Sequence, residues 1–511
     1  MKLVELLDGI GTPPLRGEAL PGLEIRQIAD DSREVGPGTL FVALQGEKQD
    51  GHRFINEAID RGALVIVAQE SPSESQSARV GWVRVGDSRK ALVELAVRFF
   101  GDPSRGLRLI GVTGTNGKTT TAFLGRAVLE SGSGKKAGIL GTIFYDDGAG
   151  SQPAPNTTPG VLSLQRFFRQ MRDRGIDQTI MEVSSHALDQ ERVAGCIYTT
   201  AVFTNLTQDH LDYHHSMERY FSAKCKLFDR FLQGTAVINV DDPYGRRLAG
   251  MLKEIYGVQV LTYALEEKAD LVPNALSIDR SVTRMRVSTR LGALELTSPL
   301  IGRYNAYNLL AGIGIGLSEG MPLERIAQGI ERLRQVPGRF ERIEGNGYQV
   351  VVDYAHTEDA LNRLLEAARM LKPMRLLTLF GCGGNRDRGK RSRMGRVAAH
   401  WSDFVMISSD NPREEDPLEI IREVEEGIRL LSKETGQAHA YEAIVDRRRA
   451  IERLLSVARA GDLVVIAGKG HEREQIIGGK SIPFDDREVV REILKKGTAV
   501  EGQGATKPHE P

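Results

Sequence analysis

From about residue 105 onward, the apolar positions fall into short runs that each close on small or polar residues: LRLIGVTGTNGKTT, KAGILGTI, DQTIMEVSSHA, TTAVFTNLTQDH and GTAVINVDDP. Stretches with helical spacing, such as TAFLGRAVLES, separate some of them, and continuous rather than alternating apolar runs predict strands buried on both faces of a parallel sheet. The first hundred residues carry LFVALQG at 40–46 and ALVIVAQE at 63–70 around the helical FINEAIDRG, which predicts a small α/β module. Near RQVPGRFE the cycle restarts with YQVVVDYAHTEDALNRLLEAARML, RLLTLFGCGG, DFVMISSDNPRE and DLVVIAGKGHE, a doubly wound pattern. The predicted division is 1–104, 105–336 and 337–496, followed by an aperiodic, disordered tail over 497–511.

The length of 511 residues suits three such domains. With 41% hydrophobic and 27% charged residues, disordered and fibrous classes are excluded. Lys+Arg and Asp+Glu are both 68, so no overall basic field favours nucleic acid or an anionic membrane. Glu5 and Asp8 interrupt the apolar stretch a secretory leader needs, and no run is apolar enough to insert in a membrane, so the expected location is cytoplasmic. Cys196, Cys225 and Cys382 have no metal-ribbon spacing and read as buried thiols.

In open parallel sheets, ligands bind beyond the strand C-termini, so the residues closing each run carry the chemistry. Gly111-Val-Thr-Gly-Thr-Asn-Gly-Lys-Thr-Thr120 lies between a strand and an amphipathic helix. There the backbone of Gly114, Thr115, Asn116 and Gly117 can wrap phosphates, Lys118 adds a cation, and the hydroxyl of Thr119 or Thr120 can ligate magnesium. The usual spacing would put a first glycine at Val112, so this is a variant loop for a nucleoside triphosphate. By itself it does not choose among a kinase, a motor and a ligase. Glu182 closes a strand where a carboxylate is either solvated or holds a metal. The stretch 205–215 is rich in His and Asp without zinc spacing, and the local pattern around Lys224 reads as a surface lysine. In the last third, Asp353 suits ribose hydroxyls or a helix cap. Gly381–Asp387 with Arg386, Asp410-Asn411-Pro412-Arg413, and Gly468–Glu472 close successive strands, a set suited to a ligand with carboxylates and an ammonium group.

Taken together, GTNGKTT, EVSSHAL, NLTQDHLDYH, GRYNAYN, DYAHT and DNPR, in this order, resemble the Mur ligase family over about residues 20 to 490. The resemblance is to members that add diaminopimelate, and it implies an α/β chain in three-domain Mur ligase architecture, with a central P-loop-type parallel sheet and a Rossmann-like C-terminal domain. It implies an ATP- and Mg2+-dependent ligase joining meso-2,6-diaminopimelate to the D-Glu γ-carboxylate of UDP-N-acetylmuramoyl-L-Ala-D-Glu through an acyl phosphate, acting as a monomer. Carried over by motif, Lys118, Lys224, His210 and Arg339 would be catalytic. Thr119, Glu182, His210 and Lys224, the last as a carbamate, would hold the metal. Asn305, Asn308 and Asp353 would meet the nucleotide, and the 31–33 turn with Ser32, together with the loop 46–49, the uridine. Asn156, Thr157, Thr158, Ser184, Gln190 and Arg192 would bind the muramoyl peptide, and Arg386, Asp410, Asn411, Pro412, Arg413, Gly468 and Glu472 the amino acid. Glu358 and Asn385 depart from the family pattern, which commonly has proline and aspartate there. An L-lysine-adding ligase is the alternative within the family; a P-loop kinase and a nucleotide-switch binding module are alternatives outside it.

Overall fold

The structure is a computed structural model describing residues 1–10, 22–46, 49–255 and 257–501. The strands Gln27–Ala29, Thr39–Val42, Ala63–Ala68 and Gly81–Arg84 pair in that order as a parallel sheet. Helix Ser88–Phe100, whose first turn is capped by Asp87, packs Leu92 and Leu95 on its face.

The second sheet has eight strands in the spatial order Gln259–Tyr263, Leu232–Asn239, Tyr198–Phe203, Arg108–Thr113, Gln178–Glu182, Gly138–Leu140, Phe144–Asp146 and Ser151–Pro153. The first six run parallel and the last two extend the edge antiparallel. Period-two geometry divides the strand Arg108–Thr113 between two cores: Leu109 joins Met181, Phe203 and Phe228, while Ile110 and Val112 face Leu124, Leu309 and Ile313 on the other side. Each such side chain contributes about 1.5–3 kcal/mol by leaving water, which is why the run is apolar throughout. This strand is central, so its loop sits between the strand ends that carry Glu182 and Asn205.

An antiparallel sheet, Pro273–Ile278, Thr283–Thr289 and Gly292–Ser298, was not foreseen by the reading of alternating strands and helices. Its middle strand TRMRVST alternates buried and exposed residues, a period-two signal. The third large sheet runs Glu341–Glu344, Gln349–Asp353, Leu463–Ala467, Leu376–Phe380, Phe404–Ser408 and Tyr441–Ile444, antiparallel at the first pair and parallel beyond. Separate apolar cores cover its two faces, as a doubly wound pattern requires. The order puts the loops after Asp353, Ala467, Phe380 and Ser408 side by side.

The expected tail at 497–511 is corrected in part: helix Asp486–Glu501 continues through its first five residues. Val489 and Val490 anchor that helix in a core, and Gly497, the one glycine within it, does not stop it. Residues 502–511 lie outside the described residues, as does part of the 46–49 loop. The cysteines 196, 225 and 382 are free and buried, as expected. Among the described residues no helix is long and apolar enough to cross a membrane.

Candidate functional site

The strand Arg108–Thr113 delivers the chain into a loop that only glycine can complete. Gly114 has φ +146°, and a Cβ there would meet Thr204 Oγ1 at 1.9 Å. Lys118 opens helix Lys118–Ser133 and folds back, its Nζ donating to the carbonyls of Gly114 at 3.0 Å and Thr115 at 2.8 Å. Burial pushes its ammonium below the usual lysine range, while Glu182 and Asp209 pull it back up.

Glu182 is buried, and its carboxylate accepts from Thr119 Oγ1 at 3.0 Å, Thr142 Oγ1 at 2.9 Å and the Thr142 backbone N–H at 2.8 Å. Nearby, His210 sits in the left-handed region at φ +54°. Its ring is pushed down to about 3 by desolvation, aided by His186 and by Lys118 and Lys224, against the pull of Asp209. Among the described residues no group of three or more His, Cys, Asp or Glu side chains is gathered as a metal cluster. His214, which the zinc reading would need, is instead stacked on Tyr220 and bonded to Ser185 Oγ at 2.9 Å.

The local reading of Lys224 as a surface lysine is corrected: its side chain is buried on helix Met217–Asp229. Tyr220, Lys224 and Phe228 share one face of that helix at i, i+4 and i+8, so the lysine follows the apolar stripe inward. Its Nζ lies over the Tyr220 ring, 4.7 Å from the centroid, and donates to the Gly114 carbonyl at 2.8 Å, the same oxygen that Lys118 uses. Burial, with Lys118 adding like charge, holds the Lys224 amine well below its ordinary range.

The C-terminal sheet closes this cavity from the far side. Arg339 donates through Nη2 to Thr119 Oγ1 at 3.1 Å and lies over the Tyr354 ring at 4.4 Å. Asp353 accepts from the backbone N–H groups of Phe340 at 2.6 Å and Ala355 at 2.8 Å, and burial raises its pKa. Asn305 and Asn308 are buried and bonded to each other at 3.0 Å, with Asn308 also accepting from Thr121 at 3.3 Å. Asn116 donates from its side chain to Asp359 Oδ2 at 3.0 Å, a contact between the phosphate loop and the last third of the chain that the sequence did not reveal. The cavity these residues line is about 500 Å³.

A second cavity, about 560 Å³, shares Asp209, His210, Tyr354 and His356 with the first, so the two adjoin. Arg386, Asp410, Asn411, Arg413, Gly468 and Glu472 line it, as the strand-end reading expected. Arg413 is held at φ +55° by its N–H on the Ile476 carbonyl at 3.0 Å and by Gly478 N–H on its own carbonyl at 2.7 Å. Its guanidinium reaches only carbonyls, Gly384 at 2.8 Å and Asn411 at 3.4 Å. Burial and the neighbouring Arg386 disfavour its charge, while Asp410 and Glu472 across the cavity favour it, and the balance holds it below the usual arginine range. Opposite them, Asp410 Oδ1 is buried without a hydrogen-bond partner among the described residues and lies 3.7 Å from Lys469 Nζ. Sequence reasoning missed Lys469, whose buried Nζ bonds Glu472 at 2.8 Å and Asn411 at 3.2 Å and so fixes both. Pro412 is the turn between them and makes its contact through its carbonyl, which accepts from Glu415 N–H at 3.0 Å.

The two departures from the motif pattern are locally consistent. Glu358 begins helix Glu358–Met370, where a carboxylate suits the helix N-terminus, and it pairs with Arg393 at 3.1 Å. Asn385 adopts φ +52°, which asparagine and aspartate both tolerate.

On the other flank of Glu182, the hydroxyls of Thr142 and Thr157 are hydrogen-bonded at 3.2 Å, and Thr158 Oγ1 donates to the Glu182 carbonyl at 2.9 Å and accepts from Ser184 N–H at 3.0 Å. Arg192 donates to Gln190 Oε1 at 2.6 Å and to the Thr158 carbonyl at 3.4 Å. Asn156, exposed, accepts from Tyr145 through its carbonyl. Thus 156–158, Ser184, Gln190 and Arg192 form one contiguous wall. Arg89 ties it to the first sheet, donating to the carbonyls of Gln190 at 3.3 Å and Gln45 at 3.1 Å. Ser32, in the short turn after the strand Gln27–Ala29, donates to Glu57 at 3.1 Å, and its neighbours Asp31 and Arg33 pair with each other.

Three family models match the chain: "Mur ligase family, catalytic domain" over 24–100, "Mur ligase middle domain" over 112–316 and "Mur ligase, glutamate ligase domain" over 338–470. A curated relative from Solibacter usitatus, named UDP-N-acetylmuramoyl-L-alanyl-D-glutamate–2,6-diaminopimelate ligase, is 46% identical over 97% of this chain and 98% of its own. A solved structure of a protein with that name superposes with TM-score 0.68 at 32% identity, covering 98% of this chain and 99% of that one. The MurF ligase of Thermotoga maritima, solved in complex with ADP, shares the fold with TM-score 0.63 at 19% identity, over 93% of this chain and 98% of that one.

Proposed function

The chain belongs to the Mur ligase family, with its three-domain architecture, and from that premise we propose the reaction, substrates and residue roles that follow. The protein is an ATP-dependent ligase that adds meso-diaminopimelate to the D-Glu γ-carboxylate of UDP-N-acetylmuramoyl-L-Ala-D-Glu. The observation that carries this reading is the junction of the two cavities at Asp209, His210, Tyr354 and His356. A phosphate-binding loop opens there onto a space built for carboxylates and an ammonium group, whereas a kinase or switch needs only the first. We take the domain boundaries at about residues 104 and 336, between the segments that the family models match, and the location as cytoplasmic.

A carboxylate is a poor acylating agent. The γ-phosphoryl group of ATP therefore moves first to the D-Glu carboxylate, giving an acyl phosphate and ADP. The free amine of diaminopimelate then attacks the acyl carbon, phosphate leaves, and the amine's proton is lost. Lys118 and Arg339 stabilise charge on the moving phosphoryl group, and Asn305, Asn308 and Asp353 hold the rest of the nucleotide. The wall 156–158, Ser184, Gln190 and Arg192 presents the D-Glu carboxylate beside Glu182, with the uridine end toward Ser32.

The hard oxygens at Thr119 and Glu182 fit magnesium, with His210 at the rim and Lys224, as a carbamate, behind. When bound, that ion neutralises charge on the phosphates. What supports the carbamate is that Lys118 and Lys224 share the Gly114 carbonyl, an arrangement that disfavours two ammonium groups. A neutral amine adds carbon dioxide, releasing a proton and becoming an anion. Lys224→Ala is expected to lose most activity and to regain part of it with added short-chain carboxylic acids; activity equal to the parent's refutes the role.

ADP release is expected to require the UDP-linked dipeptide, diaminopimelate and magnesium together. Omitting each in turn from the assay checks this, and full ADP release without the amino acid rules out the ligase.

A further inference from the structure

Arg339 is held in an unusual way for a half-buried arginine at a site. Among the described residues it makes no ion pair; its contacts are the Gly338 carbonyl at 3.2 Å, Thr119 Oγ1 at 3.1 Å, the face of Tyr354 at 4.4 Å and His471 Nδ1 at 3.4 Å. All four are neutral. A carboxylate in any of these places would grip the guanidinium harder but would cancel its charge before any phosphate arrived.

His471 is the side chain that makes this possible from the C-terminal domain. It belongs to GKGHE, where the sequence reading used only Gly468 and Glu472. Gly338 packs on its backbone so closely that a Cβ there would lie 2.2 Å from His471 N, which locks the arginine's own turn to the histidine's. An arginine can only donate, so Nδ1 is the lone pair and the ring proton sits on Nε2. The Thr142 backbone also acts on the ring, favouring its protonated form, and Thr142 in turn bonds Glu182. The imidazole therefore spans from Arg339 to the central domain.

We propose that His471 is a positioning residue for Arg339, an uncharged acceptor that orients the guanidinium toward the transferring phosphoryl group while leaving its positive charge unspent. This rests on the role given to Arg339 above. Burial, with Arg339 and Arg487 nearby, pushes the ring down to about 2, which keeps it neutral throughout the working pH range.

Three replacements separate the parts of the idea. His471→Gln keeps a neutral acceptor and an N–H donor, His471→Leu removes both, and His471→Glu keeps an acceptor but makes it anionic. The expected order of kcat is Gln, then Leu, then Glu, with Leu reduced on the order of tenfold and Glu further, and with KM for diaminopimelate unchanged. A second readout is binding by calorimetry of ADP and of the methylene analogue of ATP that keeps the γ-phosphate. His471→Glu is expected to lose the preference for the analogue, and His471→Gln to retain it. Because Gln is near-isosteric and the other two are not, melting temperatures are compared; should Leu or Glu fail to fold, Gln against parent in the binding assay still decides. A loss of γ-phosphate preference in His471→Gln, or His471→Glu matching Gln in both assays, overturns the proposal. Arg339→Ala without effect would instead remove the role of Arg339 itself. If Arg339→Ala is impaired but His471→Leu is not, only the inference about His471 falls.

Discussion

Lys118→Ala lowers the rate of ADP formation on the order of 10²–10⁴, the largest single loss expected in the nucleotide cavity. Its ammonium rests on the Gly114 and Thr115 carbonyls, so it is already at the loop and needs no rearrangement to meet a phosphate. Those carbonyls are neutral, as are the hydrogen-bond partners of Arg339. Lys118→Arg is expected to restore little, because a planar guanidinium does not match a compact ammonium held between two carbonyls in a glycine-lined turn. Single-turnover measurement of acyl phosphate formation checks this, with the melting temperature as control. Near-normal turnover in the alanine variant refutes the role.

The phosphate loop was legible because its chemistry is local: strand, glycines, lysine and threonine follow one another in the chain. The strand-end residues Arg386, Asp410, Arg413 and Glu472 were legible for a different reason. Parallel sheets put successive C-terminal loops on one edge, and here the strands preceding them are neighbours in the sheet. Lys224 was misread locally, although Tyr220 and Phe228 four residues to either side mark the buried stripe. The contact of Asn116 with Asp359 joins positions 243 apart in sequence, and no local pattern encodes such a pairing. Lys469 was hidden by its own chemistry: a lysine between two glycines reads as solvated unless its buried partners Asn411 and Glu472 are known. The antiparallel sheet after residue 273 was masked by the expectation of continued strand–helix alternation, even though its alternating pattern was on view.

We propose that the amino-acid choice turns on Arg413. Lysine and meso-diaminopimelate differ by one carboxylate on the far carbon, so selection requires a group that is satisfied by that carboxylate and unsatisfied without it. Arg413 fits, since its backbone is held in the left-handed region by two hydrogen bonds and, among the described residues, its guanidinium hydrogen-bonds only carbonyls. Arg386 adds a second cation across Gly383, where a Cβ would lie 3.0 Å from Arg413 Nη1 and 3.8 Å from Arg386 Cγ. Asp410 and Glu472, which both face the buried Lys469 ammonium, line the same cavity and would meet the far ammonium. With lysine bound, the half-buried Arg413 guanidinium is left with its carbonyl partners and no ligand carboxylate, a penalty of roughly 3–6 kcal/mol, or about 10²–10⁴ in kcat/KM. The parent enzyme is therefore expected to use L-lysine that much less well than diaminopimelate. Arg413→Ala is expected to lower kcat/KM for diaminopimelate by a similar factor and to narrow the gap between the two amino acids. Arg413→Lys should recover little of it, because one ammonium cannot form the paired hydrogen bonds of the fork. Steady-state kinetics with both amino acids decide the matter: unchanged diaminopimelate use in Arg413→Ala, or a parent that prefers L-lysine, overturns the assignment, because the converging cations would then have some other anion to serve.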